Sequence, residues 1–132
     1  MSDIAGGPGR SVLVVDDDAS VRRVIRRCLQ TAYTVFEASS AGEARLATDE
    51  RTPDLIIMDL VLPGMEGREA ANMLLARWPG LPVLYVSGYS SMESARVGPI
   101  AEGHAFLRKP FKVRELTEAV AALMSLPVAN AC

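Results

Sequence analysis

Apolar positions along the chain follow two periods in turn. Residues 11–15 (SVLVV) and 55–58 (LIIM) are short apolar runs with almost no polar alternation, as strands covered on both faces require. Residues 33–38 (YTVFEA) are strand-like by their β-branched and aromatic content, and residues 82–86 (PVLYV) and 104–108 (HAFLR) complete a set of five. Between the first two the period lengthens. Val21, Val24, Ile25, Cys28 and Leu29 share one helical face, with Arg22, Arg23, Arg26 and Arg27 on the other. Those arginines read as a solvated face; a docking surface for an acidic partner is the alternative. Ser40, with Glu43 three residues on, makes a capping box for a helix that runs to about residue 50. Pro53 stops it and restarts the chain as a strand. Residues 66–78 place Ala70, Met73, Leu74 and Arg77 at helical spacing before Pro79-Gly80. Val113, Leu116, Val120, Leu123 and Met124 mark a closing amphipathic helix. Over residues 90–103 the pattern predicts only a short or irregular helix, because Gly98-Pro99 breaks a longer one.

Five strands alternating with helices predict an α/β fold, a doubly wound parallel sheet covered on both faces by right-handed crossovers. The domain is expected over residues 11–125, with residues 1–10 a flexible lead and 126–132 a frayed tail.

In such folds ligands bind outside the carboxyl ends of the strands. Four strands here end in Asp16/Asp17, Asp59, Ser87 and Lys109. Alone, Asp59 would read as a loop cap. Together, the three carboxylates would repel one another, which a divalent cation relieves, and hard oxygen ligands in an open, hydrated position favour Mg2+. A lysine and a hydroxyl at the same edge are suited to the oxygens of a phosphoryl group. The chain has no glycine-rich P-loop.

Composition narrows the possibilities further. A chain of 132 residues, 49% hydrophobic and 23% charged, is globular and of single-domain size. Its formal net charge of -2 gives no basic footprint for direct nucleic-acid binding. Cys28 and Cys132 form neither a disulfide framework nor a spaced metal motif, which suits a reducing cytoplasm. No stretch has the roughly eighteen apolar residues of a membrane span, so no membrane insertion is expected. His104, the single histidine, has no metal partner in the sequence and reads as an edge residue, and Cys28 as a small core hydrophobe.

VVDDD at residues 14–18, LIIMDLVLPGMEG at 55–67, VSG at 86–88 and FLRKPF at 106–111 resemble, in order and interval, the receiver domain of two-component response regulators. The resemblance covers residues 11–124. It implies a flavodoxin-like five-stranded sheet of order 2-1-3-4-5. It implies that Asp59 accepts a phosphoryl group from a phosphohistidine of a sensor histidine kinase or histidine phosphotransfer protein. Asp17, Asp59 and the Val61 backbone carbonyl would ligate Mg2+, and Asp16 would act mainly through water. Lys109 and Ser87 would hold phosphoryl oxygens. Phe106 would be the switch aromatic that turns as Ser87 moves, altering the face made by the family's fourth helix, fifth strand and fifth helix; a static core aromatic is the alternative. Pro110 resembles the family's cis proline.

The sequence also departs from the pattern. Gly88 stands where alanine is commoner, and Asp18 adds an acid that reads as a helix N-cap. YVSGYS and the break at Gly98-Pro99 are more similar to receivers attached to hybrid histidine kinases than to those of DNA-binding regulators. Val61 and Tyr89 would flank the path of an attacking water and slow acyl-phosphate hydrolysis. The expectation is a phosphoacceptor rather than a turnover enzyme, working through a protein partner. The alternatives are a pseudo-receiver that binds without phosphorylation and an Asp-nucleophile phosphatase of the haloacid dehalogenase type, which the absence of a second Asp at position 61 disfavours.

Overall fold

The computed structural model describes residues 10–88 and 103–125. In chain order the elements are β1 (Ser11–Val15), α1 (Ala19–Leu29), β2 (Thr34–Ala38), α2 (Ala41–Glu50), β3 (Leu55–Asp59), β4 (Val61–Leu62), β5 (Met65–Glu66), α3 (Gly67–Arg77), β6 (Val83–Ser87), β7 (Ala105–Arg108) and α4 (Val113–Ser125). The expected lead before residue 10, the irregular helix after residue 89, Tyr89 itself and the tail after residue 125 lie outside the described residues.

Five strands pair in parallel in the order β2-β1-β3-β6-β7. This is the expected order 2-1-3-4-5 once the short strands β4 and β5 are counted apart. Those two form an antiparallel ribbon, Val61 opposite Glu66, turning through Gly64 at φ 73°. The sequence predicts only a loop with a Pro63-Gly64 turn there. A two-residue strand carries too little pattern to register as alternation.

Side-chain alternation splits the sheet between two cores. Leu13, Val15, Ile56, Met58, Val83 and Tyr85 face α2 and α3, where Ala41, Ala44, Ala70, Ala71 and Leu74 meet them. Val12, Val14, Leu55, Ile57, Leu84 and Val86 face Ile25 and Leu29 of α1 and Leu116, Val120 and Leu123 of α4. With both faces covered, β1, β3 and β6 are buried from end to end. Each large aliphatic side chain removed from water contributes about 1.5 to 3 kcal/mol, so these buried central strands are firmly held. Their carboxyl ends inherit that rigidity.

The helix starts follow the local chemistry. Asp18 caps α1, its carboxylate accepting from the Ser20 amide at 2.9 Å and the Ser20 hydroxyl at 2.6 Å. Ser40 caps α2 by accepting from the Glu43 amide, while Glu43 reaches past the cap to the amide and hydroxyl of Ser39. The face of α1 differs from its expected pattern. Val24 is 52% exposed, and two of the four arginines are paired: Arg22, largely buried, and Arg26, still 39% exposed, each bond one oxygen of Glu37 on β2. Periodicity shows that a face is polar, not that an acid on the neighbouring strand lies within reach of it.

Candidate functional site

Each central strand delivers a polar residue as it leaves the sheet. Asp16 follows β1 and is 1% exposed, Asp59 ends β3 at 6%, and Ser87 ends β6 at 1%. Asp17, one step further along the loop, is exposed, while Lys109 follows the edge strand β7 and is partly buried. Carboxylates this deep are costly unless paired. The pairing comes from Lys109, whose ammonium donates to Asp16 Oδ2 at 2.8 Å and lies 3.6 Å from Asp59 Oδ2. The remaining oxygens meet backbone: the Asp18 amide donates to Asp16 Oδ1 at 2.9 Å, and the Val61 amide to Asp59 Oδ1 at 3.1 Å.

One cation among three acids leaves negative charge uncompensated. Burial, reinforced by the neighbouring Asp16 charge, pushes the Asp59 carboxyl up to about 6, although the Val61 amide and Lys109 pull the other way. For Lys109, burial disfavours the ammonium, but its hydrogen bond to Asp16 and the charges of Asp59 and Asp16 outweigh it and hold the pKa above the ordinary lysine value. Ligand oxygens of Asp16, Asp17 and Asp59 lie within 4.8 Å of one another. Hard anionic oxygens this close, half exposed to solvent through Asp17, fit a divalent oxygen-seeking cation.

The backbone supports this geometry closely. The Lys109 amide donates to the Ser87 carbonyl at 2.8 Å, and the Lys109–Pro110 bond is cis. The Leu60 amide donates to the Val86 carbonyl at 2.9 Å, tying the loop after Asp59 to β6. A Cβ on Gly67 would come within 1.9 Å of the Asp59 carbonyl oxygen, so only glycine allows α3 to start against the end of β3. A Cβ on Gly88 would meet Lys109 Cβ at 3.4 Å, an ordinary contact. Phe106 stands opposite Tyr85 in register and packs, partly buried, on the core facing α2 and α3.

Asp16, Asp17, Asp59, Val61, Ser87 and Lys109 therefore lie at one edge of the sheet, and Phe106 lies on the strand β7 that leads to it. Sequence reasoning missed Gly67, for which the signal was a glycine closing the motif after the acceptor strand. It also missed the Arg22–Glu37 pair, which no sequence pattern marks.

A family model described as the response regulator receiver domain matches residues 12–121. The chain belongs to that family. Among curated proteins, this receiver is 30% identical over 91% of its length to the probable transcriptional regulatory protein TcrX of Mycobacterium tuberculosis, covering 52% of it. It is 33% identical over 86% of its length to the response regulator MprA of Mycobacterium ulcerans, covering 49% of it. The chain thus spans about half the length of the curated relatives it matches. Among solved structures, the receiver domain of NtrX from Brucella abortus superposes with a TM-score of 0.76 at 27% identity, over 88% of this chain and 99% of that one. Among the described residues, no helix of this receiver is long and apolar enough to cross a membrane.

Proposed function

We propose that this receiver takes a phosphoryl group from a phosphohistidine of a sensor kinase or histidine phosphotransfer protein onto Asp59, and passes the change to a protein partner. The observation that carries this reading is the meeting of Asp59 with Asp16, Asp17 and Lys109 at one sheet edge. An Asp59 carboxylate oxygen attacks phosphorus, forming a P–O bond as the P–N bond to the donor imidazole breaks. The electron pair of that bond stays on the leaving nitrogen, which takes its proton from solvent. Asp16, Asp17, Asp59 and the Val61 carbonyl are the groups that would hold Mg2+. Bound there, Mg2+ supplies charge neutralisation for the three acids and the phosphoryl oxygens.

The protein's own part is positioning. β3 holds the acceptor rigidly, and the Val61 amide leaves one Asp59 oxygen engaged so that the other is presented. Lys109, now on Asp16 and near Asp59, is within a short swing of an oxygen on the phosphorylated acceptor. Ser87 at the end of β6 would offer its hydroxyl to another, and Phe106, partly buried on the adjoining strand, would turn in response. The domain is consumed as an acceptor in each cycle rather than turning over an external substrate, and a cytoplasmic setting goes with this role.

Intact-mass measurement after incubation with acetyl phosphate, with and without Mg2+, tests the proposal on wild type and Asp59→Asn. A Mg2+-dependent gain of one phosphoryl group in wild type alone is expected. No gain in wild type, where a known receiver gains one, would instead make this a receiver that binds partners without phosphorylation.

A further inference from the structure

The acidic site is fixed from one side by a residue outside it. Arg22 on α1 is 16% exposed and spans two acceptors: its Nε donates to Glu37 Oε1 at 2.9 Å and its Nη1 to the backbone carbonyl of Asp16 at 2.5 Å. Glu37 is itself held, its second oxygen taking Arg26 Nε at 2.6 Å. The next residue along β2, Ala38, accepts from the Asp16 amide at 3.1 Å. Both backbone groups of Asp16 are therefore tied to this side of the molecule, the amide directly to β2 and the carbonyl through Arg22. Its carboxylate is left to face Lys109 and the Asp18 amide.

We infer that Arg22, clamped by Glu37, is a positioning residue that fixes the Asp16 backbone and so aims the acidic cluster at its cation. The inference rests on the Mg2+-assisted reading above. Two roles for Arg22 make opposite predictions. As a nearby positive charge, it would oppose cation binding at the three carboxylates, and its removal would tighten Mg2+. As a positioning group, its removal loosens the corner that carries Asp16 and weakens Mg2+. A lysine keeps the charge but not the planar fork that grips two acceptors at once, so it separates the two roles again.

The test is calorimetric titration of Mg2+ into EDTA-stripped protein at fixed ionic strength. The proteins are wild type, Arg22→Ala, Arg22→Lys, Glu37→Ala and, as a charge-matched control on the same helix, Arg23→Ala. Both Arg22 variants are expected to weaken Mg2+ about tenfold, as loss of a group supporting a ligand does, and Glu37→Ala to follow in the same direction. Arg23→Ala should leave binding unchanged or slightly tighter. A readout without metal accompanies it: hydrogen exchange at the Asp18 amide, which donates to Asp16, should quicken in the Arg22 variants ahead of the core strands. Tighter or unchanged Mg2+ in Arg22→Ala, or wild-type affinity in Arg22→Lys, would overturn the inference. Should Arg22→Ala not fold, the lysine variant decides. Wild type that neither binds Mg2+ nor gains a phosphoryl group would remove the reading beneath it, an outcome distinct from a working wild type with indifferent Arg22 variants.

Discussion

The Lys109 ammonium donates to the buried Asp16 carboxylate at 2.8 Å across 93 residues of chain, joining the loop after the last strand to the loop after the first. That contact closes the carboxyl edge of the sheet. Lys109→Met keeps the aliphatic stem beside Gly88 and removes the charge. In metal-free protein it should cost about 3 kcal/mol, because Asp16 and Asp59 lose their compensating cation. Added Mg2+ should recover part of the loss. Urea denaturation in EDTA and in Mg2+ measures both, and equal losses in the two buffers would separate Lys109 from the acidic cluster.

Asp59 is held at a cost that depends on pH. Its pKa rises from the ordinary 3.8 to about 6 on folding, so between these values the native state binds more protons than the unfolded chain. Stability from this group is therefore present below about pH 4 and lost as pH rises through about 6. At pH 7 without Mg2+, Asp59→Asn should be more stable than wild type by about 1 to 3 kcal/mol, an advantage that shrinks as pH is lowered. Chemical denaturation of both proteins from pH 4 to 7.5 checks it. An advantage that does not change with pH would mean Asp59 is not the titrating group.

His104 should show the opposite slope. Its Nδ1 accepts from the Val83 amide at 3.0 Å, and its ring meets Tyr85 edge-on with centroids 6.3 Å apart. Burial, and then the charge of Arg68, hold its pKa below 6.5. Protonation takes away the acceptor, so the unfolded chain gains protons first, and stability should fall as pH drops below about 6.5. Measured in the Asp59→Asn background, where the acceptor no longer titrates, this decline should be present with His104 and absent in His104→Gln.

Two glycines beside the site should behave differently. Gly67→Ala drives a methyl into the Asp59 carbonyl and should cost about 1 to 3 kcal/mol, with a weaker Mg2+ response, because α3 and the end of β3 must part. Gly88→Ala makes only ordinary contact with Lys109 and should stay within about 0.5 kcal/mol of wild type. Thermal unfolding with and without Mg2+ compares them. Equal effects would mean that space at residue 67 is not what selects glycine.

Much of the site is legible before folding because chain direction does most of the work. A buried parallel strand runs apolar to its end, and whatever polar residue follows must emerge at the same edge as its neighbours. Asp16, Asp59, Ser87 and Lys109 could be read that way from four separate segments. The Glu37 clamp could not. Glu37 lies in a strand of mixed burial, and Arg22 and Arg26 lie on a helix face that reads as solvated; only the packing of α1 beside β2 brings an acid to them.

By itself the sequence determined the five parallel strands, their alternation with helices and the strand ends that carry acids and a lysine, since each follows from local period and the direction of burial. The tertiary structure decided which carboxylate takes Lys109, where Asp59 is pushed on the pH scale and why residue 67 must be glycine. Those depend on distances of a few ångströms between segments far apart in the chain. Coulomb energy, desolvation and steric overlap change steeply over such distances, and no spacing along one segment encodes them.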